Sequence, residues 1–327
     1  MRAWRVHELG EPGKVLRQDD VADPRPGPGQ LLVRVRAAAA NFPDVLMCRG
    51  EYQVKPPLPF TPGIELCGEV VEAGEGARGF TVGDRVIGSP ELPVGAYGEL
   101  TLMASARTFA APAALDDPEA AAFFIGYQTG WFGLHRRAAL QPGETLLVHA
   151  AAGGVGSAAV QLGKAAGARV IGVVGGPDKA AVARELGADV VVDRHAEDFV
   201  AVVKEATGGR GADVVYDPVG GDAFARSTKC VAFEGRILVI GFASGVVPSP
   251  GLNHALIKNY SIVGLHWGFY NEKDPEAIRR CHDDLTALAE QGLAKPLVGE
   301  RLGFDAVADG VQRLADGTTV GRVVFTV

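Results

Sequence analysis

Only four of the 327 residues are cysteine, at Cys48, Cys67, Cys230 and Cys281, and they stand far apart. They form no C-x-x-C pair and no Cys/His cluster, which argues against a zinc module or a disulfide framework. The seven histidines are equally scattered, so no metal-ligand spacing is present and no metal is expected. No uncharged apolar run reaches the length of a membrane span. The start, Met1-Arg2-Ala3-Trp4-Arg5, lacks the apolar core of a signal peptide, and a cytoplasmic location is the default expectation. Excess positive charge is absent too. Lys and Arg number 32 against 39 Asp and Glu, a net charge of −7, which gives no reason to expect a nucleic-acid partner.

What the chain does have is glycine, alanine and valine, and enough length for two domains. The organising stretch is Leu146-Leu147-Val148-His149-Ala150-Ala151-Ala152-Gly153-Gly154-Val155-Gly156-Ser157. It reads as a buried strand, a small-residue turn and a helix start. Gly153 and Gly156 match the last part of a G-x-G-x-x-G dinucleotide pattern, with Ala151 where the first glycine would stand. In that reading Gly153 lets backbone approach a pyrophosphate, Gly156 lets the helix pack close to its strand, and the helix N-terminus faces the phosphates. By itself such a cluster is equally an ordinary tight turn.

Residues 1–120 read as β-rich. The segments 31–36, 65–73 and 82–88 are strand candidates punctuated by Gly and Pro, which suggests a small barrel-like lobe. Asn41 to Tyr52 reads as a short helix and a loop. Asp117-Pro118-Glu119 marks a helix start. Strands and helices then alternate, with strands at 169–174, 190–193, 213–217, 236–241 and 261–265. Helices are expected at 178–186, 198–206 and 222–233. This is the pattern of a doubly wound parallel sheet. After residue 268 come a long amphipathic helix at 274–291, a shorter one at 305–314 and a strand at 321–325. This tail is too small for a domain and is expected to pack on the first lobe.

NAD-preferring folds carry an acid at the end of the second strand, about 20 residues after the glycines. Here that strand runs into Val174-Gly175-Gly176-Pro177-Asp178-Lys179, with no carboxylate at its end. Asp178 suits a helix cap. Lys179 opens a helix, where the macrodipole disfavours a cation unless an anion lies nearby. Arg194, after the third strand, is a second candidate. These residues favour NADPH over NADH, although two solvated surface charges would look the same.

The chain resembles the zinc-independent quinone oxidoreductases (zeta-crystallin type) of the medium-chain dehydrogenase/reductase superfamily, over essentially its whole length. The resemblance rests on Pro26 to Val35, Asn41-Phe42-Pro43-Asp44, Pro62-Gly63-Ile64-Glu65, Val82 to Val86, His149 to Gly156, and Gly264. It implies an α/β protein with a GroES-like β-rich catalytic domain plus a Rossmann doubly wound parallel-sheet domain. The expected division is a catalytic domain at 1–123, to which 265–327 return, and an NADPH-binding domain at 124–264, with a cleft between them. A homodimer through the Rossmann sheet edge at Ser261–Leu265 is also implied. Zinc-dependent relatives place Cys and His ligands where Asn41 and Ile64 stand here, and neither can replace them, so Glu65 alone remains of that set and is expected to be structural. Asn41 and Thr129 resemble nicotinamide-side residues. Gly153, Gly154, Val155 and Gly156 resemble the pyrophosphate turn. Gly175, Lys179 and Arg194 resemble the 2′-phosphate site, with Arg194 where related reductases often have Tyr. Tyr52 matches a candidate proton donor of these reductases and of 2-enoyl thioester reductases, and could equally be a pocket wall.

The reaction implied is hydride transfer from NADPH to a quinone, or alternatively to an enone or 2-enoyl thioester. Charge developing on the acceptor would be met by donors such as the Asn41 amide or the Tyr52 hydroxyl. His266 and Trp267 are expected to line the cleft. The non-enzymatic alternative is an NADPH-binding crystallin-like or RNA-binding protein.

Overall fold

The chain divides into two units in a computed structural model that describes residues 1–327. One comprises Met1–Ile125 with Lys295–Val327, and the other Gly126–Ala294. In the first, β1 (Arg2–Val6) and β2 (Leu16–Asp20) form an antiparallel ribbon around the short α1 (Pro12–Val15). The ten-residue β3 (Gln30–Ala39) is the spine of this unit. Val33 and Val35 are buried on it while Arg34 and Arg36 are exposed, the period-two pattern of a strand with one wet face. Next come α2 (Phe42–Arg49), β4 (Leu66–Ala73), β5 (Arg85–Gly88), β6 (Leu100–Ala104) and β7 (Thr108–Ala110). α3 (Asp117–Ala121) starts in a capping box: Asp116 accepts from Glu119 N at 2.9 Å, and Glu119 accepts from Asp116 N at 3.2 Å.

The second unit carries α4 (Phe124–Trp131), which begins in the last residues of the first unit and continues as a π-helical turn through Arg137. Strand and helix then alternate through β8 (Thr145–His149), α5 (Gly154–Ala165), β9 (Arg169–Val174), α6 (Pro177–Glu185), β10 (Val190–Asp193) and α7 (Phe199–Ala206). The alternation continues through β11 (Ala212–Asp217), α8 (Gly221–Ser227), β12 (Val231–Val239), α9 (Leu252–Lys258) and β13 (Ser261–Gly264). The short α10 (Tyr270–Lys273) and the sixteen-residue α11 (Pro275–Glu290) close the unit. All six strands are parallel, in the order β10-β9-β8-β11-β12-β13. The order reverses between β8 and β11, so their carboxyl ends flank the crevice where open α/β sheets take ligands.

The chain then returns to the first unit through β14 (Val298–Gly303), α12 (Val307–Ala315) and β15 (Arg322–Thr326). The larger sheet there runs β14-β15-β3-β4-β5-β7, with β6 also on β3. Its core gathers Leu31, Val33, Val35, Leu66, Tyr97, Met103 and Phe325.

Two sequence expectations need correction. The return to the first unit falls at Lys295, not at 265, because α11 buries Ile278, Cys281 and Leu285 within the second unit. The helix from 222 does not reach Phe233. It ends at Ser227, and β12 begins at Val231, so Phe233 is a strand residue and 69% exposed.

Candidate functional site

In the first unit, the end of β3 delivers Asn41 as the N-cap of α2. Its backbone N–H donates to Asp44 Oδ2 at 2.8 Å. Its side-chain amide donates to Ala39 O at 3.2 Å and to Glu65 Oε2 at 3.0 Å. Both partners are acceptors, so the amide orientation is fixed and both N–H groups are spent inside the protein. What remains is the carbonyl Oδ1, an acceptor. The expectation that the Asn41 amide would donate to a developing oxyanion therefore does not match its geometry.

Asp44, absent from the sequence-based site, is the hub of this region. It is fully buried and accepts from Asn41 N, from Gly63 N at 3.0 Å and from the Tyr97 hydroxyl at 3.0 Å. Burial pushes its carboxyl up to about 7, against the pull of these three donors. Gly63, at φ +93, sits in a backbone conformation that favours glycine, with a Cβ position 2.7 Å from the Tyr97 ring.

Glu65 is also fully buried. Besides Asn41 it accepts from Ile125 N at 2.7 Å, in the first turn of α4, and from the Arg322 guanidinium of β15. One carboxylate thus ties together α2, α4 and the returning strand. This also bears on metal binding. Of the three positions the resemblance relates to a zinc site, Asn41 and Ile64 are non-ligands and Glu65 is held by a guanidinium. Tyr52 follows α2, half-buried against the core of the unit, and its hydroxyl has no hydrogen-bond partner in the protein. Burial first, and the nearby Asp44 charge second, push its phenol up, so it carries its proton at neutral pH.

The second unit holds the other candidates. At the end of β8, Ala150 takes φ +51 and Gly153 N donates to Ala150 O at 2.8 Å, closing the turn into α5. A Cβ on Gly156 would lie 2.1 Å from Ala150 O, so only glycine lets α5 approach its strand this closely. On Gly153 a Cβ would meet Ala150 O at 3.2 Å, a tight but adjustable contact. No side chain caps α5. The N–H groups of its first turn, at Gly154, Val155 and Gly156, are directed out of the helix end with the positive end of the macrodipole. This is the donor set that a pyrophosphate requires.

α4 crosses this turn through glycines. A Cβ on Gly126 would meet Gly154 O at 3.5 Å, and one on Gly130 would meet the Leu162 side chain at 2.7 Å. Thr129 is thereby carried on the helix that packs over the start of α5, and it is 9% exposed. Its neighbour Gln128 is fully buried and accepts from Trp267 Nε1 at 2.9 Å. That bond, to a residue expected to line a cleft, anchors the segment after β13 to α4.

At the end of β9 a Cβ on Gly175 would lie 3.2 Å from Arg194 Nε and 3.3 Å from His195 Nε2. Gly175 and Arg194 are thus brought together, and Lys179 is the third residue of the helix that begins two residues after Gly175. The exposed His195 was not anticipated. Its only sequence signal is its place two residues after the third strand. Asp193 Oδ1 accepts from Gly176 N at 2.9 Å and from His195 N at 3.0 Å, and these two amides draw its carboxyl below the usual range. It therefore faces the protein backbone. The residues fit a dinucleotide with a 2′-phosphate: bare helix N–H groups at the first turn, and a guanidinium and an imidazole against a glycine at the end of the second strand, with a lysine in the first turn of the helix that follows. Across the switch point, Asp217 accepts from Val219 N at 2.8 Å and Gly220 N at 2.9 Å, shaping the loop that leaves β11.

Comparison with known proteins agrees with this arrangement. Residues 27–113 match the alcohol dehydrogenase GroES-like domain, and residues 154–283 match a family described as zinc-binding dehydrogenase. A quinone oxidoreductase-like protein 2 homolog of Nematostella vectensis is 39% identical over 326 residues, covering 99% of this chain and 88% of that protein. The quinone oxidoreductase-like protein 2 of Mus musculus is 36% identical, covering 99% and 92%. The structure of Escherichia coli quinone oxidoreductase complexed with NADPH superposes with a TM-score of 0.92 at 31% identity, over the whole of both chains. With glycines shaping the dinucleotide turn and non-ligands at two of the three zinc positions, the chain belongs to the zinc-independent quinone oxidoreductase group of the medium-chain dehydrogenase/reductase superfamily.

Proposed function

We propose that this protein is an NADPH-dependent quinone reductase. The observation that carries the reading is the pairing of an uncapped, glycine-packed α5 N-terminus with a β9 end that has no acid, is flanked by Arg194 and His195, and leads into an α6 whose first turn carries Lys179. The similarity to a quinone oxidoreductase complexed with NADPH supports the same cofactor. When bound, NADPH supplies the hydride. The chain's own residues hold, orient and protonate.

Gly153, Gly154, Val155 and Gly156 bind the pyrophosphate through backbone N–H groups, and Gly175, Lys179 and Arg194 bind the 2′-phosphate. Thr129 and the Oδ1 of Asn41 orient the nicotinamide side of the cofactor. The quinone gains two electrons with the hydride, and one further proton completes the hydroquinone. Tyr52 is the candidate source of that proton, because its phenol is protonated and has no internal acceptor. The experiment is NADPH oxidation with a panel of quinones and enones. Consumption with quinones supports the reading, and turnover of enones alone replaces it with an enone reductase.

The assembly we propose is a homodimer. The edge strand β13 leaves Ile262 exposed, and α9 presents Leu252, Leu256 and Ile257 to solvent at 76%, 77% and 71%. An apolar patch beside an unpaired strand edge is a surface that asks to be covered. Leu256→Glu is expected to convert the dimer to monomer in light scattering, and an unchanged mass would remove this interface.

A further inference from the structure

We infer that His195 makes the choice between NADPH and NADH depend on pH, an inference that rests on the 2′-phosphate site proposed above. The arrangement has three parts. The first is convergence: the guanidinium of Arg194 and the imidazole of His195 close on the same bare backbone position, Gly175. The second is direction: Arg194 Nε donates to His195 Nε2 at 3.5 Å. A guanidinium cannot accept, so this contact requires a neutral imidazole with its proton on Nδ1. The third is fixation: the backbone N–H of His195 is tied to Asp193, whose other contact holds Gly176.

The charged groups around the imidazole are few. Arg194 adjoins it in its own loop, and the Asp193 carboxylate acts electrostatically on both Arg194 and His195. Asp193 on β10 is turned to the backbone amides. From the facing turn come the Gly175 backbone and, at the start of α6, Asp178 and Lys179.

A neutral imidazole presents a lone pair at Nε2. It would repel the oxygens of a 2′-phosphate, which NADH lacks. Once protonated, it loses the Arg194 contact and donates to the phosphate together with Arg194 and Lys179. Proton binding and phosphate binding therefore favour each other. The preference for NADPH should therefore strengthen as pH falls and weaken as pH rises.

The test is the dissociation constant of NADPH and of NADH, by fluorescence titration or calorimetry without substrate, from about pH 6 to about 8.5. Wild type, His195→Gln and His195→Lys are compared, which removes the titration of the 2′-phosphate itself from the comparison. Over this range the wild-type affinity for NADPH should fall about tenfold more than that of His195→Gln. Lysine at this position should restore tight NADPH binding at the upper pH. NADH affinity should stay nearly constant in all three, which also reports correct folding. Parallel pH profiles in wild type and His195→Gln, with NADPH still preferred, would overturn the role of His195 and leave the phosphate site standing. Equal affinity for the two cofactors at every pH would overturn both.

Discussion

The two glycines of the α5 turn should fail in different ways when each is replaced by alanine. At Gly156 the added Cβ would sit 2.1 Å from Ala150 O and 2.7 Å from Ala150 C. Real contacts of this kind stop near 3.0 Å, so the start of α5 must retreat by about 1 Å from a close-packed strand. Overpacking of that kind costs about 1–3 kcal/mol, or about 3–10 °C in the melting temperature of a domain this size. The same retreat moves the N–H groups that receive the pyrophosphate, and a 1 Å displacement of a binding group is worth up to about a hundredfold. At Gly153 the nearest protein atom is Ala150 O at 3.2 Å, so the fold should absorb alanine at under about 1 kcal/mol. The methyl group would instead crowd the phosphate, raising the NADPH dissociation constant about tenfold. Thermal melts and NADPH titration of both variants read this out. Unchanged stability and unchanged binding in Gly156→Ala would refute the close approach on which the cofactor site rests.

Three other perturbations probe the first unit. Tyr52→Phe should lower the single-turnover rate of quinone reduction at least about tenfold while leaving NADPH affinity unchanged, and an unchanged rate would remove it as proton source. Glu65→Gln leaves the buried Arg322 without its counter-charge and should destabilise the fold by about 3–5 kcal/mol in denaturant titration, whereas a loss under 1 kcal/mol would contradict the tie between α2, α4 and β15. Asp44 is pushed up to about 7 by burial, while an unfolded aspartate titrates near about 3.9. Between those values the native state holds a proton that the unfolded state has released, so its contribution falls as pH rises from about 4 to 7. Asp44→Asn should be less stable overall, with a flatter pH profile in that window. An equally steep profile would assign the slope to other groups.

Much of the second unit was legible in the sequence, because fully buried parallel strands and Gly-terminated helices leave strong local patterns. β8, β9, β10 and β11 fall where their apolar runs place them, and the role of Gly156 follows from the turn it occupies. What escaped had weak or misleading local signals. Val231-Ala232-Phe233 follows a helix without a Gly or Pro stop, and a short apolar run suits helix or strand equally. α9 turns its apolar residues outward, so no core periodicity marks it. In α11 the amphipathic stripe shows that one face is buried but not against which unit. The direction of the Asn41 amide is set by Glu65, 24 residues away. The imidazole of His195 reaches Gly175 only because Asp193 stitches two loops together.

NADPH binding and hydride transfer to a quinone can be followed in one reaction. The most direct measurement is a single-turnover experiment, in which purified protein loaded with one equivalent of NADPH is mixed with a simple quinone and both species are followed spectroscopically. One hydroquinone should form per NADPH consumed, with the reaction unaffected by prior treatment with a zinc chelator. Tight NADPH binding with no oxidation by any quinone or enone, or activity lost on chelation and restored by zinc, would contradict zinc-independent hydride transfer.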